Sequence, residues 1–152
     1  MEDEEDEEDN EIYLTLYNND QEVTFSISSS DSTTLHINLE YSLNDGEWKT
    51  YSLNDTIDFG GSLGILRLRG TNNTYGTSQR KSSSTLLSFY WYNTITLSSR
   101  AYCKGDIRTL INYKTYETCN TSYASFNRLF YNAPILSAPK LPATDLAIAC
   151  YY

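Results

Sequence analysis

Carboxylates are the first candidates for chemistry in this 152-residue chain. Asp20, Glu22, Asp31 and Glu40 are spread over residues 20–40. Paired acids that hydrolyse a glycosidic bond stand about 5–10 Å apart, and no spacing rule brings any two of these four to that separation. The chain has one histidine, His36, flanked by Leu35 and Ile37 in an alternating pattern, and it has no nucleophile elbow. A Ser-His-Asp site therefore finds no support. Asp55, Asp58 and the Asn72-Asn73 pair offer oxygen ligands, but their spacing is not that of a calcium loop. Cys103, Cys119 and Cys150 form no CxxC pair, and a lone histidine does not complete a zinc site. A Cys103–Cys119 disulfide is one reading. Buried free thiols are preferred, since Cys packs as a small hydrophobe. With no catalytic residue set, no metal set and no cofactor fingerprint, the expectation is a non-enzymatic protein.

Surface chemistry is the remaining source of function. The net charge of −9 comes from one place: residues 2–11 hold Glu2, Asp3, Glu4, Glu5, Asp6, Glu7, Glu8, Asp9 and Glu11, and the other 11 acids equal the 11 Lys and Arg. This run is expected to have no structure of its own, or to be held by a basic partner. No basic stripe exists, so nucleic acid is not an expected ligand. The "FYWY" stretch at Phe89–Tyr92 alternates its rings, which puts Tyr90 and Tyr92 together on one face. Those two rings could stack on sugars, although core packing with one polar-tipped face explains the stretch more plainly. Arg67 and Arg69, with Arg80 and Lys81, could meet an acidic partner; ordinary solvated charge is the plainer reading. Tyr90, Tyr92, Arg67 and Arg69 are the candidate glycan or partner surface. Trp48 reads as a core or cross-strand aromatic.

The elements that must position these residues are short strands. Tyr, Thr, Asn and Ser are abundant, a composition of pleated surfaces and turns. "IYLTLY" places Ile12, Leu14 and Leu16 on one face, "VTFSI" does so with Val23, Phe25 and Ile27, and "LHINLEYSL" alternates from Leu35 to Leu43. Asp45-Gly46 predicts a hairpin tip, with a return strand over Glu47–Leu53. Thr56–Phe59, "ILRLRG" and "TLLSFYWYNTITL" supply further strands. Six to eight such strands over residues 12–100 predict a mainly β protein, a sandwich of immunoglobulin or jelly-roll type. Past Gly105, Asp106 can cap a helix over Ile107–Tyr113, and a second helix can start at Thr121 or Ser122 and run to Tyr131. Pro134, Pro139 and Pro142 exclude a central strand and fit an extended edge. Residues 101–152 are thus expected to form helical segments and a small appendage on the sandwich, buried through Ile107, Leu110, Phe126, Leu129, Phe130 and Leu136. No stretch approaches the 18 apolar residues of a membrane span. Met1 is followed directly by charge, without the pattern of a secretory signal.

The closing stretch "SFNRLF…LSAPKLPATDLAIACYY" resembles the repeat unit of BspA-like leucine-rich-repeat surface proteins of gut bacteria and some of their phages. Leu129-Phe130, Leu136, Ala138, Pro139, Leu141, Pro142, Ala143, Thr144, Leu146, Cys150 and Tyr151 carry the match. "LEYSLNDGEWKTY" and "LRLRGTNNTY" also look like the β-domain that often precedes such repeats. Ser125 and Ala133 stand where that unit has cysteines. Only one full unit is present, and a solenoid needs about three, so the unit must pack on the β-domain or on a partner. The resemblance implies a recognition or structural protein on an outer surface. The first expectation is a decorating protein on a phage virion, part of an assembly, joined to capsid or fibre subunits through the acidic run, with a host surface glycan as a further partner. The alternative is a bacterial cell-surface adhesin or glycan-binding lipoprotein module.

Overall fold

The computed structural model describes residues 12–31, 33–35, 37–72, 78–80, 90–118, 126, 129–137 and 139, with the backbone alone at 78–80, 90 and 91. Among these residues, nine strands form two antiparallel sheets that pack as a β-sandwich: β1 (Leu14–Tyr17), β2 (Glu22–Ser29), β3 (Leu39–Leu43), β4 (Lys49–Thr50), β5 (Ile57–Gly60), β6 (Leu66–Gly70), β7 (Ser78–Arg80), β8 (Tyr90–Leu97) and β9 (Tyr102–Lys104). Sheet I has the order β4-β3-β6-β1-β9, and sheet II the order β5-β2-β8-β7. Only β3–β4 and β7–β8 are neighbours both in sequence and in space, so the chain crosses repeatedly between layers. The period-two pattern is what makes this work. Leu14, Leu16, Leu66, Leu68 and Cys103 point inward from sheet I to meet Val23, Phe25, Ile27, Phe59, Ile95 and Leu97 of sheet II in one buried cluster.

Several sequence expectations shift in detail. The strand read over Leu35–Leu43 begins at Leu39, and the return strand read over Glu47–Leu53 shortens to Lys49–Thr50. The hairpin tip moves one residue back: Asn44 and Asp45 take the positive φ values, 51° and 60°, and the Gly46 N–H donates to the Leu43 carbonyl. Asn and Asp tolerate the left-handed region, and two anchors to the neighbouring strand fix them there. The Asn44 N–H donates to the Ile65 carbonyl at 2.7 Å, and the Asp45 carboxylate pairs with Arg67. The sheet also runs past the expected boundary at residue 100, since β9 pairs with β1.

After β9 the chain closes one end of the sandwich. The helix expected over Ile107–Tyr113 is a single turn, α1 (Thr109–Asn112). Asp106 binds the Arg108 N–H and guanidinium instead of capping a longer helix. Thr109 Oγ1 accepts the Leu14 N–H at 3.2 Å, where β1 starts. Asn72 ties α1 to the sheet, donating from Nδ2 to the Leu110 and Asn38 carbonyls and accepting the Asn38 N–H.

The far C-terminal segment closes one side. The Leu129 carbonyl accepts the Ile95 N–H of β8 at 2.7 Å. Ile135 then bridges in parallel to Ala101, and the Ser137 hydroxyl both accepts from and donates to the Cys103 backbone. Residues 134–137 thus serve as an extended edge beside β9, and Pro142 lies outside the described residues. Phe126, Leu129, Ile107 and Leu110 are buried and Phe130 is partly so; Leu136, expected inside, is 44% exposed. Its N–H is spent on the Ala101 carbonyl, and alternation along an edge turns its side chain outward. The second predicted helix lies partly outside the described residues; Phe126 and 129–131 within it form turns. The opposite side stays open as a cleft of about 460 Å³ between β3–β4 and β5, lined by Tyr41, Leu43, Lys49, Ile57, Asp58 and Leu63.

Burial has a pH consequence. Cys103 is a free, buried thiol, pushed by desolvation from 9.0 up to about 12. Tyr51 is also raised, mainly by burial; its hydroxyl accepts the Ile27 N–H, a ladder position that β5 does not reach, and donates to the Asp55 carbonyl. Folding holds both groups neutral. The stabilisation from Cys103 is whole below the unfolded thiol pKa and drains as pH rises toward 12, by up to about 1.4 kcal/mol per pH unit, and the raised Tyr51 hydroxyl adds to the alkaline loss in the same direction. Urea midpoints should fall from pH 9 to 11, and Cys103→Ala should flatten that slope while lowering the plateau. An equal slope in the variant would refute the assignment. Cys119 and Cys150 lie outside the described residues.

Candidate functional site: the outer face of sheet I

The outer face of sheet I gathers rings and cations in a row. Alternation sends Tyr13, Thr15 and Tyr17 outward along β1 and its approach, opposite Leu14 and Leu16. Tyr17 lies directly across from Tyr102 on β9, and their rings stack with centroids 5.3 Å apart and planes at 20°. Lys104, cross-strand from Thr15, places its ammonium 5.2 Å from the Tyr17 ring. Tyr102 is 43% exposed, the value that makes this end of the face accessible.

A second ring group occupies the other end. Arg69 faces Glu40 across β6–β3, with Nε 3.0 Å from Oε1. Its guanidinium lies 4.0 Å over the Trp48 ring and 4.2 Å over Tyr113. Tyr13 meets Trp48 edge-on at 4.9 Å and Tyr113 at 6.0 Å. Lys114 stands 5.8 Å from the Tyr113 ring. The local sequence accounts for each placement. Lys49 pairs with Tyr41, whose side chain packs toward the core, so the preceding Trp48 takes the outer face. Tyr113 leaves α1 with its N–H on the Gly70 carbonyl, which sets its ring beside Arg69. Beside the Glu40–Arg69 pair a cleft of about 250 Å³ opens, walled by Asn38, Thr50 and Thr71.

Between the two groups the row is covered. Thr15 is fully buried, and Ser42 and Arg67 nearly so. Arg67, expected on a solvated strand face, is 8% exposed and ion-paired with Asp45, which keeps a buried cation from standing alone.

The structure separates the residues proposed from sequence. Arg67 and Arg69 lie on sheet I; Tyr90 and Tyr92 belong to β8 of sheet II, so the four share no face. The Tyr90 side chain, Lys81 and the acidic run Glu2–Asp9 lie outside the described residues. The signal that could have found this face is Tyr13 and Tyr17, four apart and in phase along β1 and its approach, with Tyr102 and Lys104 in the matching phase on β9. Trp48 is half-buried on the outer face rather than in the core. Among the described residues, no three His, Cys, Asp or Glu side chains come together to hold a metal ion, and no helix is long and apolar enough to cross a membrane.

No family model, no curated protein and no solved structure matches this chain.

Proposed function

We propose that this chain is a non-enzymatic structural and recognition protein displayed on an outer surface, foremost as a decoration of a phage particle, and that it recognises surface glycan through the outer face of sheet I. In this reading the acidic run Glu2–Asp9 tethers it to basic surfaces of capsid or fibre subunits. Display on a bacterial surface would use the same ligand face. The observation that carries the proposal is the ring-and-cation row: Trp48, Tyr113, Tyr13, Tyr17 and Tyr102 with Arg69, Lys104 and Lys114 beside them. Sugar rings offer an apolar C–H face and a rim of hydroxyl oxygens. Aromatic faces bind the first, and Arg and Lys, which only donate, bind the second.

Binding to host surface polysaccharide tests this. Trp48→Ala and Tyr102→Ala should each weaken it about tenfold, the equivalent of about 1.4 kcal/mol for one lost ring. Thr96→Ala, an exposed position on sheet II, should leave it unchanged. Loss in the Thr96 variant with full retention in both ring variants would overturn the assignment.

A further inference from the structure

The two ring groups are carried by one strand. Tyr13 and Tyr17 are four residues apart on the approach to β1 and on β1 itself, on the same face, which separates them by about 13 Å at the rise of an extended strand. One group holds Tyr17, Tyr102 and Lys104; the other holds Tyr13, Trp48, Arg69, Tyr113 and Lys114. Between them Thr15 is fully buried and hydrogen-bonded back to the Tyr13 carbonyl, and its cross-strand partner Arg67 is nearly buried, so this covered stretch offers a ligand no ring of its own.

Resting on the glycan reading above, we infer that these are two subsites for a single extended, ribbon-like polysaccharide lying along β1. Each end of the row stacks one pyranose, and the sugars between them pass over the covered stretch above Thr15 without stacking. The row therefore selects a linear chain of about three or four equatorially linked pyranoses, since only that length spans about 13 Å. A peptide strand is a poor occupant. The backbone groups of β1 are already paired on both sides, with β6 and with β9, so nothing on this face can extend a ladder. An apolar helix is equally poor: among the described residues the exposed large hydrophobics are Tyr102, Tyr131 and Leu136, and only Tyr102 lies on this row.

Two weak subsites joined by one ligand act by effective concentration, so affinity should step upward when the ligand first reaches both and level off beyond. The test is calorimetric titration of the full chain with linear β-1,4 oligosaccharides of two to six units, in gluco, N-acetylglucosamine, xylo and manno series. The inference predicts, for whichever series binds, at least a tenfold rise in affinity between the disaccharide and the tetrasaccharide, and less than a threefold rise from four units to six. Tyr102→Ala should erase the step, bringing the tetrasaccharide down to disaccharide affinity while leaving the disaccharide within about threefold. Binding with no step, or a step that survives Tyr102→Ala, overturns the two-subsite inference and leaves the glycan reading standing. No binding of any series by the folded chain overturns both.

Discussion

A chain ending at Asn120 should melt about 10–20 °C below the full-length protein, because it loses roughly 5 kcal/mol of apolar burial. Phe126 and Leu129 are each about 2% exposed or less, and Phe130 and Ile135 pack against the same cluster. Fully buried side chains of this size contribute about 1.5–3 kcal/mol each. The deletion also strips partners from the backbone N–H groups of Ile95, Ala101 and Cys103. It would open the second side of a sandwich that already has one open side at the β4 and β5 edges. Point variants separate this account from a general effect of shortening the chain. Leu129→Ala should cost about 2–5 kcal/mol, whereas Leu136→Ala, 44% exposed in the same segment, should stay within about 0.5 kcal/mol. A truncated chain that melts with the full chain would show that the segment merely lies on the sandwich.

The second large effect is expected at two glycines. Gly105 has φ +94°, and a Cβ there would press into the Tyr13 carbonyl oxygen. Gly105→Ala combines a left-handed backbone with a collision, each worth about 1–3 kcal/mol, so a loss of about 3–5 kcal/mol is predicted. Gly70 has no unusual φ, but its Cβ would enter the Leu110 carbonyl. Gly70→Ala must push α1 outward, for about 1–3 kcal/mol. Since Tyr113 leaves α1 hydrogen-bonded to Gly70, that shift also withdraws its ring from Arg69. Gly70→Ala should therefore weaken glycan binding as well as stability, about tenfold if one ring contact is lost. Full stability in either variant, measured by urea unfolding, would refute the close approaches.

These two effects show what the sequence could and could not reveal. The sandwich was legible because Leu14–Leu16, Val23–Phe25–Ile27 and Leu66–Leu68 alternate without interruption, and alternation is a local property. The hairpin was legible in type but misplaced by one residue, because its position depends on Asp45 reaching Arg67 and on Asn44 reaching Ile65, contacts made on another strand. α1 came out shorter than its apolar spacing suggested, since Asp106 spends its carboxylate on Arg108. The ligand face was hidden for a similar reason. Tyr17 and Tyr102 are 85 positions apart in the chain, and Trp48, Arg69 and Tyr113 sit on three different elements. Only the β1–β9 and β3–β6 registers bring them together. Phe89–Tyr92 is the densest aromatic stretch by local composition, yet its described residues, 90–92, belong to the other sheet. The C-terminal unit read as an edge from its prolines, and Ile135–Ser137 does run along β9.

The most direct test of the ligand face uses the two tryptophans, Trp48 and Trp91. Trp91→Phe leaves Trp48 as the only indole, half-buried over Arg69 on the outer face of sheet I. Titrating this variant with the tightest-binding glycan should shift or quench Trp48 emission, saturating at the calorimetric affinity. Trp48→Phe, which keeps only Trp91 on sheet II, should bind more weakly and show no change. A bound glycan that leaves Trp48 emission untouched while changing that of Trp91 would place the ligand on the other sheet and contradict this account.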